Sequence, residues 1–589
     1  MGDPETETPD RTRDDHPRLI DPARFHVPPI LDETWDYLRL DYTGIAVGSL
    51  FFCWSLTPSL LPRDWLFQGL IGGINAAIGY TLGTIIGWAV SRWLLRGRSW
   101  WPLPRPWNGA LRVFVVLTSV LVSLVMLVYG AGWQREIARL MNMDETTTFA
   151  YIRTIAMSML VAATIVAAYR VLREIARWIA GRLIRFAHLS MRTSLTIGVS
   201  VVVIVLVALV NGVLVRGTYS AVNNAFSLEN EGTSEGVLQP TSPLRSGSDE
   251  SFAAWDTLGL QGRNFVSRGL DAQELQASSG RPAAEPIRVY AGLDTAEDPD
   301  ERMDVVIREL ERTGAFTRSV LVVIPTTGTG WVNPTAAQAI ELVHNGDSAL
   351  VASQYSYLPS WISFVADRQK AIDAGKRLVD AVHARWLQEP EETRPKLLVY
   401  GESLGTQAGE GAFDSLEDIR RTVDGVLWVG PPNANQLWSS LVARRDPGTL
   451  EVDPVYAGGL VVRFANDRED IDDTTREWLS PRVLYIQHAS DPVVWWTTDL
   501  LFERPDWLQE PPGSDRTPSM KWFPFVTFWQ VSADLANAAG VPDGHGHNYG
   551  TLVLDGWVAI AQPEGWTPQD TERARATLED YRHNSGPEK

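Results

Sequence analysis

The stretch KLLVYGESLG, residues 396–405, decides the fold of the second half of the chain. Residues 396–400 form a short apolar run that is typical of a buried strand. The motif GESLG at 401–405 follows directly, and the small residues of 404–413 then suit a helix. A G-x-S-x-G motif between a strand and a helix predicts a nucleophile elbow, in which the serine oxygen projects above the sheet. Ser403 is therefore the candidate nucleophile.

Apolar runs of the same kind recur between residues 252 and 570, and helical patterns such as 367–386 separate several of them. Short continuous apolar strands that alternate with helices predict a mostly parallel sheet covered on both faces. The fold class is therefore α/β, of the doubly wound kind. The further strand candidates are SVLVVI at 319–324, SALVASQ at 348–354, VLWV at 426–429 and RVLYIQ at 482–487.

A serine nucleophile needs a general base, which an acid orients, and in this fold both follow the serine along the chain. Asp491 ends the run HASD after a strand, at the sheet edge where sites of open α/β folds assemble. A structural capping role is the alternative for this aspartate. The motif GHGHNYG at 544–550 offers His545 and His547, and we favour His547 because it lies nearer the following helix. No carboxylate or cysteine accompanies the pair at ligand spacing, so we predict no metal and no cofactor.

A second G-x-S-x-G match, GTSEG at 232–236, has no strand before it and is discarded. An oxyanion formed at Ser403 would need two backbone N–H donors. One should come from Leu404, the residue after the nucleophile. The other should come from the loop PTTGTGW at 325–331, where residues 326, 327 and 328 all qualify and Thr327 is our working assignment. The loop lacks the lysine of a phosphate-binding P-loop.

The first half of the chain is different, because residues 43–215 contain five long apolar runs. Each run is near or above the roughly 20 residues that a helix needs to cross about 30 Å of hydrocarbon. We therefore predict an N-terminal all-α transmembrane bundle of about five helices. The runs are about 43–61, 66–88, 110–132, 151–169 and 193–215.

Arginine placement predicts the orientation of this bundle. The second and fourth segments between the apolar runs are richer in arginine than the first and third, so the positive-inside rule places them in the cytoplasm. With an odd number of crossings the C-terminal domain then lies outside the cytoplasmic membrane, and a miscount by one helix would invert this. The arginines are Arg92, Arg96, Arg98, Arg105, Arg170, Arg173, Arg177, Arg182 and Arg185, against Arg63, Arg135 and Arg139.

Composition excludes some classes of protein. A formal charge of −19 over 589 residues argues against a nucleic-acid partner. The single cysteine, Cys53, excludes a disulfide framework within the chain. We divide the chain into a polar N-terminal segment, a transmembrane domain, a Ser/Gly/Thr/Glu-rich linker, a catalytic domain and a C-terminal tail. The corresponding ranges are 1–42, 43–215, 216–251, 252–570 and 571–589.

The motifs PTTGTGW, GESLG, HASDPVVWW and GHGHNYG, in this order behind a multipass region, resemble the actinobacterial membrane-anchored α/β-hydrolase family. The stretch LQGRNFVSRG at 260–269 is similar to that family too, and the resemblance covers roughly 43–561. It implies a serine hydrolase that uses Ser403, Asp491 and a histidine of the last motif. It adds fold and reaction class rather than substrate.

We expect a multipass cell-membrane protein that cleaves carboxylic esters of lipids or acylated substrates through an acyl-serine. An acyltransferase would use the same residues, and a transporter or sensor with a hydrolase-like ligand-binding domain is the alternative from another class. Aromatic residues between Asp491 and His547 suit an acyl-chain pocket or a bilayer interface, or equally the core of the domain. They are Trp495, Trp496, Phe502, Trp507, Trp522, Phe523, Phe525, Phe528 and Trp529.

Overall fold

The computed structural model describes residues 40–94, 105–144, 149–210, 212, 216–359, 362–363 and 368–584. Nearly all of the predicted polar N-terminal segment and residues 585–589 of the predicted tail lie outside these ranges. The described chain has a helical N-terminal region and a C-terminal domain built on one sheet.

Within residues 42–208 the described part of the chain forms five apolar helices. Four of them, α2 to α5, are long and apolar enough to cross a membrane. The first, α1, has 14 residues and rises about 21 Å, which is less than the roughly 30 Å of bilayer hydrocarbon. The predicted apolar helical region is confirmed, but among the described helices four rather than five reach spanning length. The bounds are α1 Tyr42–Ser55, α2 Trp65–Trp93, α3 Arg105–Leu140, α4 Phe149–Ala187 and α5 Met191–Ala208.

Helix α1 runs antiparallel to α2 in close contact. A Cβ on Gly83 would lie 2.4 Å from the carbonyl oxygen of Thr43, so the two backbones touch where the side chain is missing. Towards the other end of α1, Gln68 donates from Nε2 to the carbonyl of Ser55 at 3.0 Å. The start of α1 and the loop that joins α1 to α2 therefore lie at opposite ends of this helix pair.

The range 216–251, where composition predicts a linker, is ordered and packed. It begins with a helix, α6, at Arg216–Glu231. Further on, the buried Ser246 donates from its N–H to the carbonyl of Arg288 at 3.0 Å and from its hydroxyl to Glu309 at 2.8 Å. Hydrogen bonds to buried charged residues, rather than large apolar side chains, hold this segment against the sheet domain.

The C-terminal domain contains a seven-stranded parallel sheet with the order β1-β3-β2-β4-β5-β7-β6. This confirms the predicted α/β class. The strands are β1 Ile287–Ala291, β2 Val320–Pro325, β3 Ser348–Ser353, β4 Lys396–Glu402, β5 Gly425–Val429, β6 Val462–Ala465 and β7 Arg482–Ile486. The helices are α7 Gly259–Ser267, α8 Ala272–Ser279, α9 Pro299–Arg312, α10 Pro334–Val343, α11 Arg368–Trp386, α12 Leu404–Glu410, α13 Leu416–Thr422, α14 Gln436–Ala443, α15 Arg468–Ile471, α16 Pro492–Trp495, α17 Val526–Asp534, α18 Leu552–Ala561 and α19 Pro568–Asn584.

Both faces of the sheet are buried, as the continuous apolar strands predict. Neighbouring residues of β2 point into different cores: Val323 joins the core with α9 and α11, whereas Val322 joins the core with α10 and α18. The second core also contains Leu578 of α19. The predicted C-terminal tail is therefore largely a packed helix, because its apolar side chains at helical spacing cover this face of the sheet.

The helical region and the sheet domain share one hydrophobic core. Leu60 and Leu61, in the loop between α1 and α2, lie in the same buried cluster as strand residues, and so do Ile137 and Met141 at the end of α3. Burial of such apolar side chains is the main favourable contribution to association. The sheet domain is thus docked on one end of the helical region.

Candidate active site

Ser403 lies at a sharp turn between β4 and α12. Its backbone has φ 54° and ψ −125°, a conformation that is strained for any residue with a side chain. The N–H of Ser403 donates to the carbonyl of Val429 at the end of β5, at 2.9 Å. The strand–turn–helix context that the motif predicts is present. The hydrogen bond to β5 stabilises the strained backbone conformation of Ser403.

Both glycines of the motif occupy positions that a side chain would obstruct. A Cβ on Gly401 would lie 2.6 Å from the carbonyl oxygen of Gly405, and a Cβ on Gly405 would lie 2.6 Å from that of Pro325. The turn is therefore packed against the end of β2. This contact brings the elbow next to the loop 325–331, from which we predict an oxyanion donor.

Asp491 and His547 are in direct contact. Nδ1 of His547 lies 2.7 Å from Oδ2 of Asp491. The hydroxyl of Tyr549 donates to the same oxygen at 2.7 Å, and the N–H of Val493 donates to Oδ1 at 2.8 Å. Asp491 thus caps α16, as the alternative reading of its sequence context suggests, and orients the imidazole as well. The buried carboxylate is satisfied at both oxygens.

This contact shifts both pKa values. Burial opposes the charged form of Asp491, but the charge of His547 and hydrogen bonds from His547 and Tyr549 hold the pKa of Asp491 below its ordinary value. Burial likewise lowers the pKa of His547, whereas the Asp491 charge, the hydrogen bond to it and the charge of Glu402 raise it, so that its net pKa is raised. The pair favours a carboxylate beside an imidazole that accepts a proton readily.

His547 also lies close to the turn that carries Ser403. A Cβ on Gly430 would be 2.4 Å from Cε1 of His547, and Gly430 follows Val429, whose carbonyl binds the Ser403 N–H. Nε2 of His547 is buried and has no hydrogen-bond partner among the described residues. The imidazole nitrogen opposite Asp491 is therefore available for a proton from a neighbouring group.

His545 contacts a different carboxylate. Its Nδ1 lies 3.5 Å from Oδ2 of Asp515. Asp515 in turn accepts the N–H of Ser490 at 3.0 Å, and Ser490 accepts the N–H of Gly546 at 2.8 Å. The structure thus joins Asp491 to His547 rather than to His545. In the described part of the chain, no group of three or more His, Cys, Asp or Glu side chains is placed to hold a metal ion.

The two predicted oxyanion donors lie near the elbow. Leu404 is the first residue of α12, whose opening N–H groups have no acceptor within the helix. The N–H of Thr327 makes a long bond of 3.4 Å to the carbonyl of Trp331. The neighbouring Thr326 is fixed by its hydroxyl, which donates to the carbonyl of Ser353 at 2.8 Å. Both donor assignments remain predictions.

Sequence reasoning missed several residues of this site. Tyr549 lies within the motif GHGHNYG, and its position two residues after His547 is a signal that could have drawn attention to it. Ser490 stands next to Asp491 in the quoted motif HASDPVVWW. Gly430 and Asp515 have no comparable local signature, because each contacts a histidine that is distant in the chain. Glu402 stands inside the serine motif, and its carboxylate accepts from Tyr400 at 2.5 Å and from Asn333 at 2.7 Å.

The aromatic residues between Asp491 and His547 serve more than one purpose. Trp495 and Trp507 are fully buried in the core of the domain. Phe523 instead stacks on Trp54 of α1, with ring centroids 5.0 Å apart. Phe502 is 67% exposed. Part of this segment is therefore core, and part of it forms the contact with the helical region.

A parallel seven-stranded sheet with a strained serine turn and an acid–histidine pair after the last strands defines an α/β hydrolase. Comparison with family models agrees with this architecture. One model, described as an alpha/beta-hydrolase family, matches residues 287–574, and a second, described as the N-terminus of that family, matches residues 56–269. The chain belongs to this alpha/beta-hydrolase family. No curated protein matches it.

Proposed function

We propose that this protein is a membrane-associated serine hydrolase that cleaves carboxylic esters through an acyl-Ser403 intermediate. The observation that carries the proposal is the contact of 2.7 Å between His547 and Asp491, held beside the strained turn of Ser403. A nucleophile, a base oriented by a buried acid, and nearby backbone donors are the groups that acyl transfer requires.

The mechanism follows from these positions. Nε2 of His547 takes the hydroxyl proton as Oγ of Ser403 attacks the ester carbonyl carbon, and Asp491 stabilises the imidazolium that forms. The N–H groups of Leu404 and Thr327 would stabilise the oxyanion. When the tetrahedral intermediate collapses, His547 gives its proton to the leaving alcohol. A water molecule, deprotonated by His547, then attacks the acyl-serine carbonyl carbon. As the second tetrahedral intermediate collapses, His547 returns this proton to Oγ of Ser403 and the acid is released.

The test is labelling of the full-length protein with a fluorophosphonate, together with hydrolysis of p-nitrophenyl acetate. Ser403→Ala should abolish both. Ser234→Ala is the matched control, because Ser234 stands in the second G-x-S-x-G match, outside any strand–turn–helix, and it should behave as wild type. Hydrolysis that survives Ser403→Ala in folded protein would refute the proposal. Product analysis with an added alcohol distinguishes hydrolysis from acyl transfer.

For the substrate we propose ester-linked lipids or lipid-carried acyl groups. The sheet domain is docked on helices that are long and apolar enough to span a membrane, so a lipid ester is presented at short range. The exposed Phe502 and the Phe523–Trp54 stack place aromatic side chains near that contact, and aromatic residues favour bilayer interfaces.

We further propose that the sheet domain lies outside the cytoplasmic membrane. Its contact with the helical region is made by the loop after α1 and the end of α3, whereas the arginine-rich segments follow α2 and extend along the second half of α4. With the N-terminus in the cytoplasm, the orientation requires α1 to count as a fifth crossing, although its helix of 14 residues rises only about 21 Å; with four crossings the sheet domain would then lie in the cytoplasm. A reporter active only in the cytoplasm, fused after Lys589, should be silent; strong activity would refute the orientation.

A further inference from the structure

The loop between α1 and α2, residues 56–64, is bonded directly to the catalytic domain. Nε2 of Gln530, in α17, donates to the carbonyl of Thr57 at 2.9 Å and to that of Ser55 at 3.3 Å. Leu61 is fully buried in the core that also contains strand residues. The α1–α2 loop is thus fixed to α17, the helix that precedes the proposed catalytic histidine in the chain.

Asp534, the last residue of α17, organises this contact. Its Oδ2 accepts the N–H of Leu60 at 3.0 Å and the hydroxyl of Ser59. Nε of Arg63 lies 3.5 Å from its Oδ1. Asp534, Ser59 and Arg63 are all buried, and a buried carboxylate is tolerated when it is paired and hydrogen-bonded. The loop is therefore held in one position relative to α17.

The segment that follows Asp534 holds the histidine. The carbonyl of Ala538 accepts the N–H of His547 at 2.8 Å. The preceding residue, Gly546, has φ 52° and is enclosed: a Cβ there would lie 2.8 Å from the oxygen of Ala538 and 3.2 Å from Cδ2 of Leu61. The backbone that carries His547 is thus packed between residues 534–538 and the tip of the α1–α2 loop.

We propose that Leu61 is a positioning residue for His547, so that the helical region is part of the catalytic machinery and not only an anchor. The inference rests on the proposed function, in which His547 is the general base. Loss of the Leu61 side chain leaves space behind Gly546, and the histidine then departs from the geometry that proton transfer requires. A misplacement of about 1 Å can cost on the order of a hundredfold in rate. Because the change acts on the proposed base rather than on the proposed oxyanion donors, kcat rather than KM should change.

The experiment compares Leu61→Ala with Leu56→Ala in the full-length protein. Leu56 is a matched control, because it is buried in the same loop but packs against Gly130 of α3. With p-nitrophenyl acetate, Leu61→Ala should lower kcat about tenfold or more with KM nearly unchanged, and should slow fluorophosphonate labelling of Ser403 in parallel. Leu61→Met, which nearly conserves the volume, should restore most of kcat. Leu56→Ala should keep kcat near the wild-type value.

Equal losses of kcat in Leu61→Ala and Leu56→Ala, or a raised KM with unchanged kcat, would overturn the inference. If Leu61→Ala yields no folded protein, Ser59→Ala takes its place, since it removes one hydroxyl from the Asp534 contact; wild-type kcat in that variant overturns the inference equally. Activity that survives Ser403→Ala refutes the proposed function itself. Activity that depends on Ser403 but not on Leu61 refutes the positioning role alone.

Discussion

The hydroxyl of Tyr549 donates a hydrogen bond of 2.7 Å to Oδ2 of Asp491, the same oxygen that His547 contacts. Two donors therefore share one buried oxygen, and each restricts where the carboxylate can rotate. Hydrogen bonds to charged groups contribute about 1.5–3 kcal/mol. Tyr549 thus fixes the acid that orients the proposed base.

We expect Tyr549→Phe to lower kcat/KM about tenfold, because a loss of ~1.4 kcal/mol in orientation energy corresponds to that factor. Tyr485→Phe is the matched control, since Tyr485 also donates to a buried carboxylate, Glu410, at 2.9 Å. Both variants should lose stability in thermal unfolding. Only Tyr549→Phe should lose activity against p-nitrophenyl acetate, and equal activities in the two variants would contradict the role of Tyr549.

The pH profile should report the raised pKa of His547. A general base must be neutral to accept a proton, so kcat/KM should fall as the pH drops through the pKa of His547, which lies above its ordinary value near 6.5. The negative charge of Glu402 contributes to that rise. Glu402→Gln removes the charge and should therefore shift the acid limb of the profile to lower pH.

Glu417→Gln, at an exposed position in α13, is the control and should leave the profile unchanged. An acid limb that stays in place or moves to higher pH in Glu402→Gln would show that this carboxylate does not act on the base.

Gly430→Ala should nearly abolish activity. Its Cβ would lie 2.4 Å from Cε1 and 2.7 Å from Nδ1 of His547, so the imidazole must move away from Asp491. Gly448→Ala is the control, because Gly448 also has positive φ, at 90°, but has open space around it. Both substitutions store backbone strain of about 1–3 kcal/mol, and both should lower the melting temperature. Retained turnover in folded Gly430→Ala would show that His547 is not the base.

The sequence predicted the sheet and the strand–turn–helix at Ser403 because their signals are local. Strands buried on both faces read as continuous apolar runs, and the elbow needs its two glycines within five residues, as the close contacts of Gly401 and Gly405 show. The pairing of Asp491 with a histidine of the last motif also followed from motif order. Motif order alone did not separate His545 from His547. The preference for His547 rested on its position nearer the following helix, whereas in the structure the turn at Gly546, where φ is 52°, directs the two side chains to different carboxylates.

Two other features of the fold were not predicted because they depend on contacts between residues that are distant in the chain. The segment 216–251 looks like a linker because it has few large apolar residues, yet Ser246 is tied to Arg288 and Glu309 by hydrogen bonds that composition does not reveal. The apolar run at 43–61 reads as one span, but its helix ends at Ser55, and residues such as Leu60 and Leu61 enter the core of the other domain. A hydropathy pattern shows that a segment is apolar, but it does not show whether the segment is surrounded by lipid or by the core of another domain.

The lipid proposal predicts a selective effect at Phe502. This side chain is 67% exposed and pairs edge-to-face with Phe525 at 5.2 Å; Phe525 lies two residues from Phe523, which stacks on Trp54 of the helical region. An exposed aromatic ring beside apolar helices gains free energy by entering the bilayer interface. Phe502→Ser should therefore reduce hydrolysis of long-chain p-nitrophenyl esters embedded in vesicles several-fold, while hydrolysis of p-nitrophenyl acetate stays unchanged.

Phe252→Ser, at a 51% exposed site elsewhere on the domain, is the control and should change neither rate. If Phe502→Ser lowers both rates equally, or if wild type never prefers long chains, the substrate is a soluble ester.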